Sequence, residues 1–207
     1  SVKGAGLNGT AYLNFEKIDF NEQVWFGNNA HHNKLIGGSV RNALHQGIHL
    51  AHVGSDYNEI LGVAVHHNGS TSINNTPQDH GFYMASRYNI IDGCHVYSNY
   101  GGGIQIYNGY AGERADGNIV RNNDVHDNCV GISVGAGGNN QLLNNKVYAN
   151  RLFDVSIAWR NPTNNVVRGN SIGKMQVEAT AQGTRIENNC IDPAKINDQG
   201  SGTVKVN

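Results

Sequence analysis

The chain has 207 residues, with 15 Lys+Arg, 16 Asp+Glu and a formal net charge of −1. Charged residues make up 15%, well below the roughly 25% of an average domain, and no basic excess exists to neutralise phosphates, which excludes a duplex-binding module. No apolar run approaches the ~20 residues of a membrane span, and the length suits one domain with a sizeable core.

Asn and Gly supply 31 and 27 positions, so the fold needs many tight, uncharged backbone corners. Three cysteines (Cys94, Cys129, Cys190) are too few for a disulfide scaffold and lack the C-x-x-C spacing of a zinc site.

The opening segment, SVKGAGLNGTAYLNF, reads as strand and turn without an amphipathic helix. A unit then begins with NKLIGGSV at Asn33 and a short strand, GIHL, at Gly47. It recurs as NEILGVAV (Asn58) with GFYM (Gly81), NIIDGCHV (Asn89) with GIQI (Gly103), and NIVRNNDV (Asn118) with GISV (Gly131). NQLLNNKV (Asn140) with DVSI (Asp154) and NVVRGNSI (Asn165) follow, and TRIENNCI from Thr184 keeps all but the leading Asn. The tail, GSGTVKVN, is again strand-like. The spacing averages about 25 residues, and the short strands alternate apolar with variable residues, the period of a strand with one buried face.

A sandwich or barrel does not need one register reproduced this often, whereas a solenoid does. The expected architecture is all-β: a single parallel β-helix of about seven coils, roughly 12–192, with terminal segments 1–11 and 193–207. Asn at the corners accepts left-handed backbone, and stacked Asn side chains can bond from coil to coil. Solenoid ends need covering, so one end is expected to be capped by partner copies or by segments outside this sequence.

The N-x-I-x-x-N-x-V repeat joined to G-I-x-I strands, as in NIVRNNDVHDNCVGISV, resembles the right-handed parallel β-helix, or pectin-lyase-like, superfamily. The resemblance implies right-handed coiling. It points to a group that includes pectate lyases, alginate lyases, mannuronan epimerases, polygalacturonases, tailspikes and adhesins. It is specific for the fold and weak for function. With a chain that starts at Ser1 rather than Met, it makes a secreted or cell-surface location the expectation.

Two adjacent intervals are long, and their excess lies in GSTSINNTPQ (Gly69–Gln78) and YNGYAGERAD (Tyr107–Asp116). Insertions in solenoids gather on one face and often mark the binding side. Between them the outward positions of the second strands form a floor of His49, Tyr83, Gln105, Ser133 and Ser156, with Tyr107 at the next outward position. Asp79 and His80 precede the GFYM strand, while Glu113, Arg114 and Asp116 lie in the second insertion. A long groove of Tyr, His and amide groups suits an extended, acidic polysaccharide.

The candidate catalytic residues are His80, Tyr83, Asp79 and Arg114; the candidate substrate contacts are His49, Gln105, Tyr107, Ser133 and Glu113. Singly, each also reads as an ordinary outward or turn residue. DHGFYMAS looks like the G-H-G strand of polygalacturonases, but their N-T-D, paired Asp-Asp and R-I-K segments do not occur. Hydrolysis, which needs two flanking carboxylates, is therefore disfavoured. Mannuronan epimerases combine Tyr with Asp-Pro-His; here Asp79, His80 and Tyr83 supply those types in another order, without the Pro.

The matching chemistry is abstraction of the proton alpha to a uronate carboxylate, ending in β-elimination or C5 epimerisation. No cofactor is demanded, and calcium is the one ion this chemistry leaves open; Asp124 and Asp127 alone support it weakly. A second outward column, His66, Tyr97, His126 and Tyr148, fits aromatic stacking better than metal binding. Low charge and scarce Lys favour the alternative, a non-catalytic glycan-binding, adhesive or structural module.

Overall fold

The computed structural model describes residues 1–70, 78–109 and 115–206. Every strand pairing among them is parallel and joins one coil to the next. One sheet has nine strands, and a second sheet of 14 strands folds round the other two sides. The fold there is the strand Lys34–Arg41, whose first half pairs with Glu59–Leu61 and whose second half pairs with Ala64–His66. Later coils break at the same point, at Gly62, Gly93, Asn122, Asn144, Gly169 and Asn188, all at positive φ, where an L side chain other than Asn would be strained. The cross-section is thus three-sided. The stack also runs beyond the seven coils counted from the repeat, because Ala5–Gly6, Ile196–Asp198 and Val204–Val206 pair onto its ends.

Most strands are three residues long with only the middle or the outer two side chains inward, which is why apolar residues file into columns. Ile60, Ile91, Val120, Leu142 and Val167 form one, Val65, Val96, Val125 and Val147 another, and Phe82, Ile104, Ile132 and Val155 a third, all fully buried or nearly so. Each such side chain contributes roughly 1.5–3 kcal/mol.

Three ladders of buried Asn fix the register. In the first, the backbone N–H and Nδ2 of Asn33, Asn58, Asn89, Asn118 and Asn140 each donate to the Oδ1 of the next, ending on Asn165. The second runs Asn68, Asn99, Asn128, Asn150 and ends on Asp154. The third runs Asn123, Asn145, Asn170, Asn189. Where the repeat lacks its Asn, the buried Thr184 hydroxyl has no partner among the described residues.

Replacing Asn118 by Ala strips the Asn89 N–H and Nδ2 of their shared acceptor and the Ser86 carbonyl of its donor. Chemical denaturation of Asn118→Ala is expected to show a loss of about 2–5 kcal/mol. Thr184→Asn, which extends the ladder, is expected to gain about 1 kcal/mol.

Candidate functional site

The outward column of the nine-stranded sheet stands in one register. Trp25 lies beside His49, His49 beside Tyr83, then Gln105, Ser133, Ser156 and Gln176. The five floor residues expected from the repeat are therefore neighbours, with Trp25 and Gln176 added at either end.

The middle of this floor is closed. Gln105 and Ser133 are 4% and 1% exposed, and the Ser133 hydroxyl donates to Gln105 Oε1. Ser156 accepts from Gln176 Nε2 at 2.8 Å. The two expected substrate contacts Gln105 and Ser133 are thus turned to each other rather than to a ligand. The cause is a double irregularity in the strand Phe153–Thr163, which carries extra residues opposite Val134–Gly138. A bulge re-aims side chains. Here it places Trp159 over Gly135, where any Cβ would collide with the indole, the Tyr107 ring and the Gln105 amide. Trp159 is held at φ 77°, a left-handed conformation costing a bulky residue about 1–3 kcal/mol. Its N–H donates to Glu178 Oε2 at 3.3 Å.

A band of partly exposed aromatic rings runs along the rod on this face. Trp25 and His49 lie 6.3 Å apart, His49 and Tyr83 5.1 Å at 89°, Tyr83 and Tyr107 6.4 Å at 73°, and Tyr107 and Trp159 6.2 Å at 87°. Tyr107 is thus a member of the band. The Arg160 guanidinium lies 5.0 Å from the Tyr107 centroid and donates from Nη1 to the Asn108 carbonyl. The backbone at Gly109 approaches the Tyr83 hydroxyl so closely that a side chain there would collide with it.

The remaining candidates divide. His80 is buried, its ring 6.1 Å from that of Tyr83, and its Nδ1 accepts the Gly102 N–H at 2.8 Å, so its proton sits on Nε2. Burial, reinforced by His49, pushes the His80 imidazole down to about 4. Burial and then His52 do the same to His49, whose Nε2 has no hydrogen-bond partner among the described residues. Both rings are therefore neutral at pH 7.

Asp79 does not pair with His80 or Tyr83; its Oδ1 lies 3.2 Å from His45 Nδ1. Asp116 is spent on a corner, accepting the Gly138 N–H at 2.9 Å. Glu113 and Arg114 lie outside the described residues, as does most of the first insertion.

The second column stacks as expected, with His66, Tyr97, His126 and Tyr148 separated by 4.8, 5.5 and 5.1 Å. Asp127 bonds His126, Asp124 faces Lys146, and no cluster of three or more His, Cys, Asp or Glu among the described residues is placed to hold a metal. Sequence reasoning missed Trp25, Trp159 and Arg160. Trp25 was findable, as the middle residue of VWF one coil ahead of GIHL; Trp159 and Arg160 were not, because the irregular register displaces them from the alternation.

A family model described as the right handed beta helix region matches residues 22–191. No curated protein matches the chain. Among solved structures, the A-module of the Azotobacter vinelandii mannuronan C-5 epimerase AlgE6 is similar over 98% of this chain and 56% of that one, at 17% identity and a TM-score of 0.41. The chain thus spans little more than half the length of that module.

Because His80 and His49 bind protons more weakly folded (about 4) than unfolded (6.5), the unfolded chain takes up protons first as pH falls. Their contribution is complete above pH 6.5 and is lost toward pH 4, roughly 3 kcal/mol for each. Denaturant midpoints measured between pH 7 and pH 4 should fall steadily. His80→Asn, whose amide oxygen can replace Nδ1 as the Gly102 acceptor, should fall less steeply.

Proposed function

We infer that this chain, which belongs to the right-handed β-helix family, is a secreted carbohydrate-active protein that acts on an acidic polysaccharide by β-elimination or C5 epimerisation. The observation that supports this is the aromatic band from Trp25 to Trp159, centred on a tyrosine flanked by two neutral imidazoles. Pyranose rings stack on such rings, and a band laid along the rod matches an extended polymer. No helix among the described residues is long and apolar enough to cross a membrane.

Tyr83 is the base in this reading. Its ionised oxygen takes the proton from C5 of a uronate, and the electron pair passes into the carboxylate as an enediolate. In elimination the pair returns to form the C4–C5 double bond as the C4–O bond breaks, and Tyr83 passes the same proton to the departing oxygen. In epimerisation a proton from solvent returns to C5 from the opposite face instead, and Tyr83 releases the proton it took to solvent. A phenol ordinarily titrates near 10, so ionising Tyr83 requires nearby positive charge. Arg114 in the second insertion is the candidate for that charge; Arg160, three coils away along the sheet, is not.

One observation favours the second reading, a glycan-binding module without turnover. His80 Nδ1 already accepts the Gly102 N–H, so it cannot take a proton from substrate without changing partner, and Asp79 Oδ1 faces His45 instead of His80 or Tyr83.

Incubation with alginate, pectate and other polyuronates, followed by absorbance of unsaturated ends or by solvent-proton exchange at C5, separates the two. Turnover that falls in Tyr83→Phe by about 10²-fold or more, with KM little changed, is the expected result. Retarded migration on glycan gels with no turnover would instead establish the binding module.

A further inference from the structure

We propose that the irregular segment at Trp159–Arg160 is a subsite for one carboxylated pyranose, which stacks on the Trp159 indole and pairs its carboxylate with Arg160. The proposal rests on the reading of this sheet as the polysaccharide-binding face. It assigns to that face a recognition element distinct from Tyr83 and its neighbours.

Three features of the chain converge here. Trp159 is 46% exposed although large and apolar, and it keeps a left-handed backbone that a bulky side chain does not adopt without compensation. Its seat is prepared by another strand: Gly135 leaves room for the indole, Tyr107 meets it edge to face, and the buried Gln105–Ser133 pair supports Gly135 from beneath. Beside it stands Arg160, whose Nη1 donates to the Asn108 carbonyl at 3.0 Å with the guanidinium over Tyr107, and whose other N–H groups have no hydrogen-bond partner among the described residues. A planar guanidinium so held offers the paired donors that a carboxylate accepts, and a neutral sugar has no group that repays them equally.

The subsite is remote from the reacting bond. The strand Phe153–Thr163 lies three coils beyond Phe82–Met84, about 14 Å at the usual strand spacing. Contacts that far away hold ground state and transition state alike. Their loss raises KM and leaves kcat in place.

The chain has two tryptophans, so in Trp25→Phe the emission of Trp159 can be read alone. Titration of that variant with a saturated oligouronate is expected to give a saturable emission change, and a neutral oligosaccharide of equal length none. Arg160→Gln in the same background should weaken the oligouronate response about tenfold or more. Gly135→Ala, whose methyl group meets the indole, the Tyr107 ring and the Gln105 amide, should weaken it as well. An unaltered emission, or equal responses to acidic and neutral sugars, overturns the subsite.

The outcome separates from that of the catalytic reading. Turnover without any Trp159 response removes the subsite alone. A Trp159 response without turnover removes the chemistry at Tyr83 and upholds the subsite. Absence of both removes the polysaccharide face altogether.

Discussion

The constraint on which the rest depends is the way a primary amide stacks on itself. An Asn side chain carries one acceptor oxygen and a donor nitrogen, and in parallel coils the oxygen of each rung faces two N–H donors from the rung before. Asn58, Asn89 and Asn118 meet this condition while fully buried, at distances of 2.8–3.3 Å. The nitrogen's remaining capacity goes to main-chain carbonyls, as from Asn118 to Ser86. Rungs obey the condition only if each coil returns to the same height and phase. Asp154 shows the rule by ending a ladder: its carboxylate accepts from Asn150 and from the Lys174 N–H, and having no proton to donate it passes nothing on.

Register held at the corners frees the intervals between them. Asn58 and Asn89 are 31 residues apart and Asn89 and Asn118 are 29, yet their rungs match those separated by 22. Loop closure grows costly only slowly with length, so extra chain can leave one face without disturbing the stack. The same rigidity lets one strand carry a strained tryptophan. Phe153–Thr163 takes extra residues opposite Val134–Gly138, and regular pairing resumes at Asn139–Asn140 with Thr163 and Asn165.

Much of this was legible in the residues. Period, strand faces, corner Asn and the His66–Tyr148 stack follow from spacing, because in a solenoid sequence offset becomes spatial adjacency. The order of the floor column followed in the same way. Its openness did not, since whether Gln105 and Ser133 face a ligand depends on Trp159, and nothing in the alternation of DVSIAWRNPT marks two extra residues. Asp79 escaped for a related reason: its partner His45 sits 34 residues away, off the repeat, at a corner where side-chain direction is not set by strand period.

Aromatic rings occur on more than one side of this rod, and their mutual geometry differs from side to side. Tyr12, His32, Tyr57 and Tyr88 lie face to face at 5.0 Å with interplanar angles of 19–24°. His66, Tyr97, His126 and Tyr148 do likewise. In such stacks each ring covers part of its neighbour, although Tyr12, Tyr57 and Tyr88 remain 72%, 48% and 45% exposed. Along the nine-stranded sheet the rings from His49 to Trp159 meet at 73–89°, edge against face, and of these rings Trp159, 46% exposed, is the most open. That difference arises from the backbone. The stacked rings sit at corresponding positions of regular coils and repeat at the coil spacing, whereas Tyr107 and Trp159 lie beyond the regular register and approach their neighbours from the side. The departure from the repeat is therefore what turns a column of side chains into a platform.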